Sequence, residues 1–245
     1  MKHRFLRLSL AVTGLCFYGS SLSAQMWNFE SDYATSGLAG AAGANPSSPW
    51  SLGFQAGGTE TERNGSYALM TGHTIALFGV AGLDTWQRNA GGGNPFIGVN
   101  LTGGDPFGFL PIGASYVLPS SPTIGVIGWT APFTGSFDVS YNFTDLQGGG
   151  DGSDVYVTRN GTDLWGGTIG DLGSSGMSQL ANVSLNAGDS LYWIVGAGAA
   201  GNNAADVVRV QAMVMAVPEP SAIALLGLGL AGVGFRFWRR RSARA

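Results

Sequence analysis

Large apolar residues return at every second position through much of the second half of this chain. Phe137, Val139, Tyr141 and Phe143 alternate with Asp138, Ser140, Asn142 and Thr144, the period of a strand with one dry face and one wet face. Val208, Val210, Ala212 and Val214 repeat the pattern, as do Leu191, Trp193 and Val195. Val155–Arg159 and Thr162–Trp165 flank Asn160-Gly161, a dipeptide suited to a two-residue hairpin because both turn positions need positive φ. Leu180–Leu185 and Ser190–Val195 flank a second turn, Asn186-Ala187-Gly188-Asp189, and Thr123–Trp129 is a further strand.

The first half is less regular. Gln25–Phe29 reads as an edge strand, Trp50–Phe54 as a half-buried strand, Tyr67–Phe78 as one or two short strands and Phe96–Leu101 as another. Residues 36–48, 57–65 and 84–95 read as loops, the last centred on Trp86. No helix of ordinary length is expected before residue 217. Eight to ten short strands separated by glycine-rich turns predict an all-β fold, a two-sheet sandwich of jelly-roll type. The 41 glycines show no G-X-Y period, which excludes a collagen-like chain.

The two ends break this pattern. Lys2, His3, Arg4 and Arg7 precede an apolar run, Leu8–Tyr18, and small residues through Ala24. That is the layout of a signal peptide cut by signal peptidase after Ala24. At the other end, Pro218-Glu219-Pro220 disfavour helix and Ser221 offers an N-cap hydroxyl. Ala222–Trp238 then measures about 25 Å as a helix, just enough to span a bilayer with Arg236 snorkelling and Trp238 at the interface. Arg239, Arg240 and Arg241 stop transfer and hold that end on the cytoplasmic side. The expected organisation is therefore a signal peptide (1–24), an exported β-sandwich (25–216) and a sorting segment with one transmembrane helix (217–245).

This partition changes the charge. Of twelve basic residues, three lie in the leader and five in the tail, leaving four against fourteen acids in the exported part. Such a surface excludes nucleic acid as a natural partner and favours divalent cations. The only cysteine, Cys16, is in the leader, so the exported domain has no disulfide and no thiol chemistry. One histidine, His73, stands beside an apolar run, and neither GxSxG nor HExxH occurs. The reading is non-catalytic, with a glycosidase-like carboxylate pair among the fourteen acids as the enzymatic alternative. Gly149–Asp154 holds one copy of the G-G-x-G-x-D pattern, making Asp151 and Asp154 candidate calcium ligands. Trp86 is the candidate for an exposed aromatic platform.

Two resemblances follow from these residues. Val217-Pro218-Glu219-Pro220-Ser221, the Gly/Ala/Leu run and the arginines resemble the PEP-CTERM sorting signal of Gram-negative bacteria. That resemblance implies an exosortase as processing partner, a membrane-anchored precursor, and release to the cell surface or an exopolysaccharide matrix. Pro49–Phe54, Trp129-Thr130-Ala131-Pro132, the Phe137–Phe143 strand, Asn160-Gly161 and Tyr192-Trp193-Ile194-Val195 resemble jelly-roll carbohydrate-binding modules. That likeness implies a polysaccharide ligand and a structural Ca²⁺ joining the first and last strands, with Glu30 and Asp206 as ligands. A purely structural or adhesive matrix protein and a polysaccharide-acting enzyme are the alternatives.

Overall fold

The computed structural model describes residues 24–55, 63–198 and 205–218. The first half supplies β1 (Met26–Asn28), the seven-residue helix α1 (Phe29–Thr35), β2 (Trp50–Phe54), β3 (Ala68–Leu69), β4 (Gly72–Thr74), β5 (Leu83–Gln87), β6 (Phe96–Asn100) and β7 (Ser115–Leu118). The second half supplies β8 (Gly125–Thr130), β9 (Gly135–Asp145), β10 (Ser153–Arg159), β11 (Thr162–Ile169), β12 (Ser178–Leu185), β13 (Ser190–Gly196) and β14 (Val208–Ala216). They form a sandwich of two antiparallel sheets. One runs β12-β9-β14-β7-β6-β5-β4 with β1 also on β14, the other β11-β10-β13-β8-β2-β3.

The alternation read from the sequence places the core. Every second residue of β9 from Phe137 to Asp145 is buried, and β14 alternates likewise. Their inward side chains meet Trp50, Trp129 and Trp193 of the opposing sheet in one continuous cluster. Trp129 packs edge-on against Trp27 at 5.1 Å and against Phe137 at 5.4 Å, the favoured geometry for aromatic quadrupoles. Asn160 (φ 48°) and Gly161 (φ 84°) form the positive-φ turn between β10 and β11, as expected.

Two expectations for the first half change. The edge strand ends at Asn28, whose side chain accepts from the Ser31 N–H and caps α1, so Glu30 sits on a helix. Residues 84–95 are not one loop, because Leu83–Gln87 is strand β5, paired with β4 and β6. Here both sheet faces are covered. The outer face carries a second apolar cluster of Leu77, Leu83, Leu110, Ala114, Tyr116 and Val207. Residues 1–23 of the expected leader, the apolar tail, Arg239–Arg241 and the motif residues Glu219, Pro220 and Ser221 lie outside the described residues, while Ala24 is described and exposed. Among the described residues no helix is long and apolar enough to cross a membrane.

Candidate functional site

Trp86, expected as an exposed platform, is buried. Its Nε1 donates to the Leu38 carbonyl at 3.0 Å, and the His73 ring stacks on it at 4.5 Å. His73 Nε2 is 2.8 Å from Asp84 Oδ1, and Asp84 also accepts from the Tyr33 hydroxyl (2.8 Å) and the Gly40 N–H (2.7 Å). Burial and the neighbouring Asp84 push the Tyr33 phenol well up, so it stays a donor. This network ties α1 and the following loop to β4 and β5. It accounts for His73, the single histidine among the described residues, as a packing residue.

The pairing of Glu30 with Asp206 does not form. Glu30 accepts two hydrogen bonds from the Arg209 guanidinium, at 2.7 and 2.8 Å, and one from the Ser115 N–H at 3.0 Å. A carboxylate so satisfied has no need of a cation. Asp151 and Asp154 also part, because Asp154 faces across the sheet and accepts from Thr168 Oγ1 at 2.7 Å. Asp206 instead stands against the β9–β10 connection, where its Oδ1 accepts from the Gly152 N–H at 3.3 Å. A Cβ on Gly150 would lie 2.0 Å from that same oxygen, so only glycine fits there. Burial first, then repulsion from Asp151 and Asp145, raises the Asp206 carboxyl to about 6, and burial raises Asp145 as well. Asp206 Oδ2 and Asp145 Oδ2 are both buried without a hydrogen bond of ordinary geometry, although the Asp151 and Leu172 N–H groups approach them. Among the described residues no three His, Cys, Asp or Glu side chains converge as a metal-binding group.

Among the described residues several concavities open on the outside of the sandwich, one of about 410 Å³ beside Ala39, Gly40, Ile75 and Leu101. Another, about 400 Å³, lies over β5, β6 and β7. Phe96, Tyr116 and Leu118 floor it, while Phe78, Phe107 and Phe109 wall it. Its covering loop is held from within: Asp105 Oδ1 accepts from the Phe107, Gly108 and Leu110 N–H groups, and Asn100 Nδ2 donates to the Gly104 and Leu110 carbonyls. Phe78 is 69% exposed and sits at φ 54°, a strained conformation for a bulky residue. The cleft is apolar apart from Gln147 and the Tyr116 hydroxyl, which is engaged by Thr85.

A smaller concavity, about 280 Å³, lies on the outer face of the other sheet, over β2 and β8. Tyr67 and Tyr192 meet edge-to-face at 4.8 Å, and Ser51 and Ser66 line it beside them. Gly53 and Gly128 form its floor. A Cβ at Gly128 would fall 2.5 Å from Ser51 Oγ and 3.2 Å from the Tyr192 ring, and one at Gly53 would fall 3.3 Å from Tyr67 Cβ. Both glycines therefore let the tyrosines settle onto the sheet. Beyond them, the Arg63 guanidinium lies 3.6 Å over the Tyr156 ring and pairs with Asp163 at 2.7 Å. This groove combines aromatic faces with hydroxyls, where the phenylalanine cleft offers aromatic faces almost alone. A sequence signal for it exists. Tyr156 and Tyr192 occupy positions where the alternation of β10 and β13 calls for a polar residue.

The PEP-CTERM protein-sorting motif matches residues 216–241. No curated protein matches the chain. Similar solved structures include carbohydrate-binding modules. The CBM36-1 domain of a multidomain xylanase from the hindgut metagenome of Trinervitermes trinervoides is 12% identical, with 52% of this chain and 90% of that chain covered and a TM-score of 0.34. A CBM35 from Paenibacillus barcinonensis is 18% identical, with 42% and 78% covered and a TM-score of 0.27. A family 35 carbohydrate-binding module from Clostridium thermocellum is 20% identical, with 41% and 76% covered and a TM-score of 0.25.

Proposed function

We propose that this protein is an exported, non-catalytic component of a Gram-negative cell envelope or matrix, whose jelly-roll sandwich binds polysaccharide in the tyrosine–serine groove. The leader is removed by signal peptidase after Ala24, and exosortase processes the anchored precursor at the motif beginning Val217-Pro218. The observation that carries the binding reading is the groove itself: Tyr67 and Tyr192 beside Ser51 and Ser66 on a glycine floor. Aromatic faces pack on the C–H faces of sugar rings, while hydroxyls and exposed backbone satisfy the sugar's own hydroxyls. The phenylalanine cleft lacks that second set.

A divalent cation belongs to the same reading. The buried, incompletely satisfied carboxylates of Asp145 and Asp206 are the kind of hard donors that calcium takes, with backbone carbonyls filling the remaining positions. The cation would pin the β9–β10 connection to the start of β14.

The test is affinity electrophoresis of residues 25–218 through a panel of bacterial exopolysaccharides, with wild type, Tyr192→Ala and Phe107→Ala. Retardation by at least one polysaccharide is expected, with Tyr192→Ala weakening it tenfold or more and Phe107→Ala leaving it within twofold. No retardation by any polysaccharide would favour the purely structural role. Release of reducing ends would favour an enzyme.

A further inference from the structure

The sorting motif begins inside the fold. Its match starts at Ala216, the last residue of β14. Ala216 is paired with Phe137 and donates to the Gln25 carbonyl at 2.8 Å, and the Val217 N–H donates to the Ser136 carbonyl at 2.9 Å. The chain is therefore fixed to the sandwich as far as Val217. Only Pro218–Ser221 then precede the apolar run that starts at Ala222. Four residues span at most about 14 Å, and each headgroup layer takes roughly 5–8 Å of that.

We infer that the pole of the sandwich where β14 ends is a membrane-seated surface in the anchored precursor. This inference rests on the sorting reading. The tether leaves under about 10 Å between this pole and the headgroups. The leader joins at the same place, since β1 pairs with β14 through Met26 and Met215. One turn that caps this pole, residues 131–134, carries no charge, and the other, residues 186–189, ends in Asp189, which accepts from Asn160 Nδ2 at 2.8 Å and from the Asn186 N–H at 2.8 Å. Met26 is 58% exposed and Phe133 40% exposed there. Phe133 is braced against Phe137 at 5.4 Å and Trp27 at 6.2 Å. Asp145, Asp151 and Asp206 stand at the opposite pole, one length of β9 away, about 35 Å for its eleven residues. An anionic bilayer repels that acidic end.

The test uses the full chain with Cys16→Ser, reconstituted into phosphatidylcholine–phosphatidylglycerol (3:1) liposomes. Ala187→Cys at the seated pole and Leu172→Cys at the opposite pole each carry an environment-sensitive fluorophore, with a quencher attached to the lipid headgroups. Quenching at position 187 at least twofold stronger than at 172, and reduced by adding Phe133→Asp, is the expected result. Equal quenching in liposomes that float with the protein overturns the inference and leaves anchoring intact. Failure of the protein to float overturns the anchor reading, and the inference with it.

Discussion

Asp206 is the residue on which the acidic end of the molecule turns. Its folded carboxyl titrates near 6 against an ordinary 3.8, so the native state holds the proton more tightly than the unfolded chain does. The sign follows: native stability falls as pH climbs from about 4 to about 6, and is level above. Asp206→Asn keeps an oxygen for the Gly152 N–H and removes the buried charge. The variant is expected to melt about 2–4 °C higher than wild type at pH 8, a shift of the size ~1 kcal/mol produces in a domain of this length. At pH 4 the two should coincide. Differential scanning calorimetry at both pH values checks this. Calcium should act on the same charge. It is expected to raise the wild-type midpoint at pH 7.5 beyond NaCl of equal ionic strength, and to do no more than NaCl in Asp206→Asn. Equal effects of both salts on wild type would mean screening alone. Glu30 predicts the opposite behaviour. Its oxygens are taken by Arg209 and Ser115, so Glu30→Gln should leave the calcium response unchanged.

At the scale of the element, β5 shows what a tryptophan in a polar-looking stretch can mean. Trp86 fills the space between His73 and the loop carrying Leu38. Trp86→Ala is expected to cost about 3–5 kcal/mol of stability, read as a lower urea midpoint. Polysaccharide affinity of the folded fraction should stay within twofold. A loss of affinity at unchanged stability would restore Trp86 as a platform. The same strand explains which elements were legible. β9, β13 and β14 have one wet face, so period two is written in Phe137–Phe143, Leu191–Val195 and Val208–Val214, and Asn160-Gly161 marks its hairpin. In β5 and β7 both faces are covered, one by the core and one by the loop over the phenylalanine cleft. Alternation vanishes there, and Asp84 and Thr85 are buried among apolar residues. Ser115–Leu118 therefore gave no strand signal, and Leu83–Gln87 resembled a loop. Helix α1 is only seven residues, and its start is fixed by the Asn28 cap. The acidic end was half legible. Asp206 and Asp151 both stood out as acids beside glycine or at a strand start, yet their meeting depends on a contact across 54 positions, between Gly152 and Asp206. The tyrosine groove was readable from the outward places of Tyr156 and Tyr192, but its glycine floor emerges only when β2 lies beside β8.

For the whole molecule, the join between fold and sorting motif, at Ala216 and Val217, bears on the proposed processing. β14 lies between β9 and β1, so its last residues are held on both sides, Ala216 by Phe137 and by the Gln25 carbonyl. A peptidase that takes its substrate as an extended chain must first free backbone groups around the motif, and Val217 is still bonded to Ser136. Opening of a strand end is a low-energy local event compared with global unfolding, but it multiplies the processing rate by the fraction of time the end is open. A ten-residue Gly/Ser insertion between Ala216 and Val217 keeps the Val217-Pro218-Glu219-Pro220-Ser221 sequence whole and moves it off the sheet. It also adds roughly 15–20 Å of flexible reach. Processing in an exosortase-bearing host, followed by pulse-chase and intact mass, is expected to be several-fold faster for the inserted chain. The processed product should lack Arg239–Arg241 in both cases. Equal rates for wild type and insertion would mean that the enzyme engages only residues beyond Val217 and that the end of β14 imposes no gate.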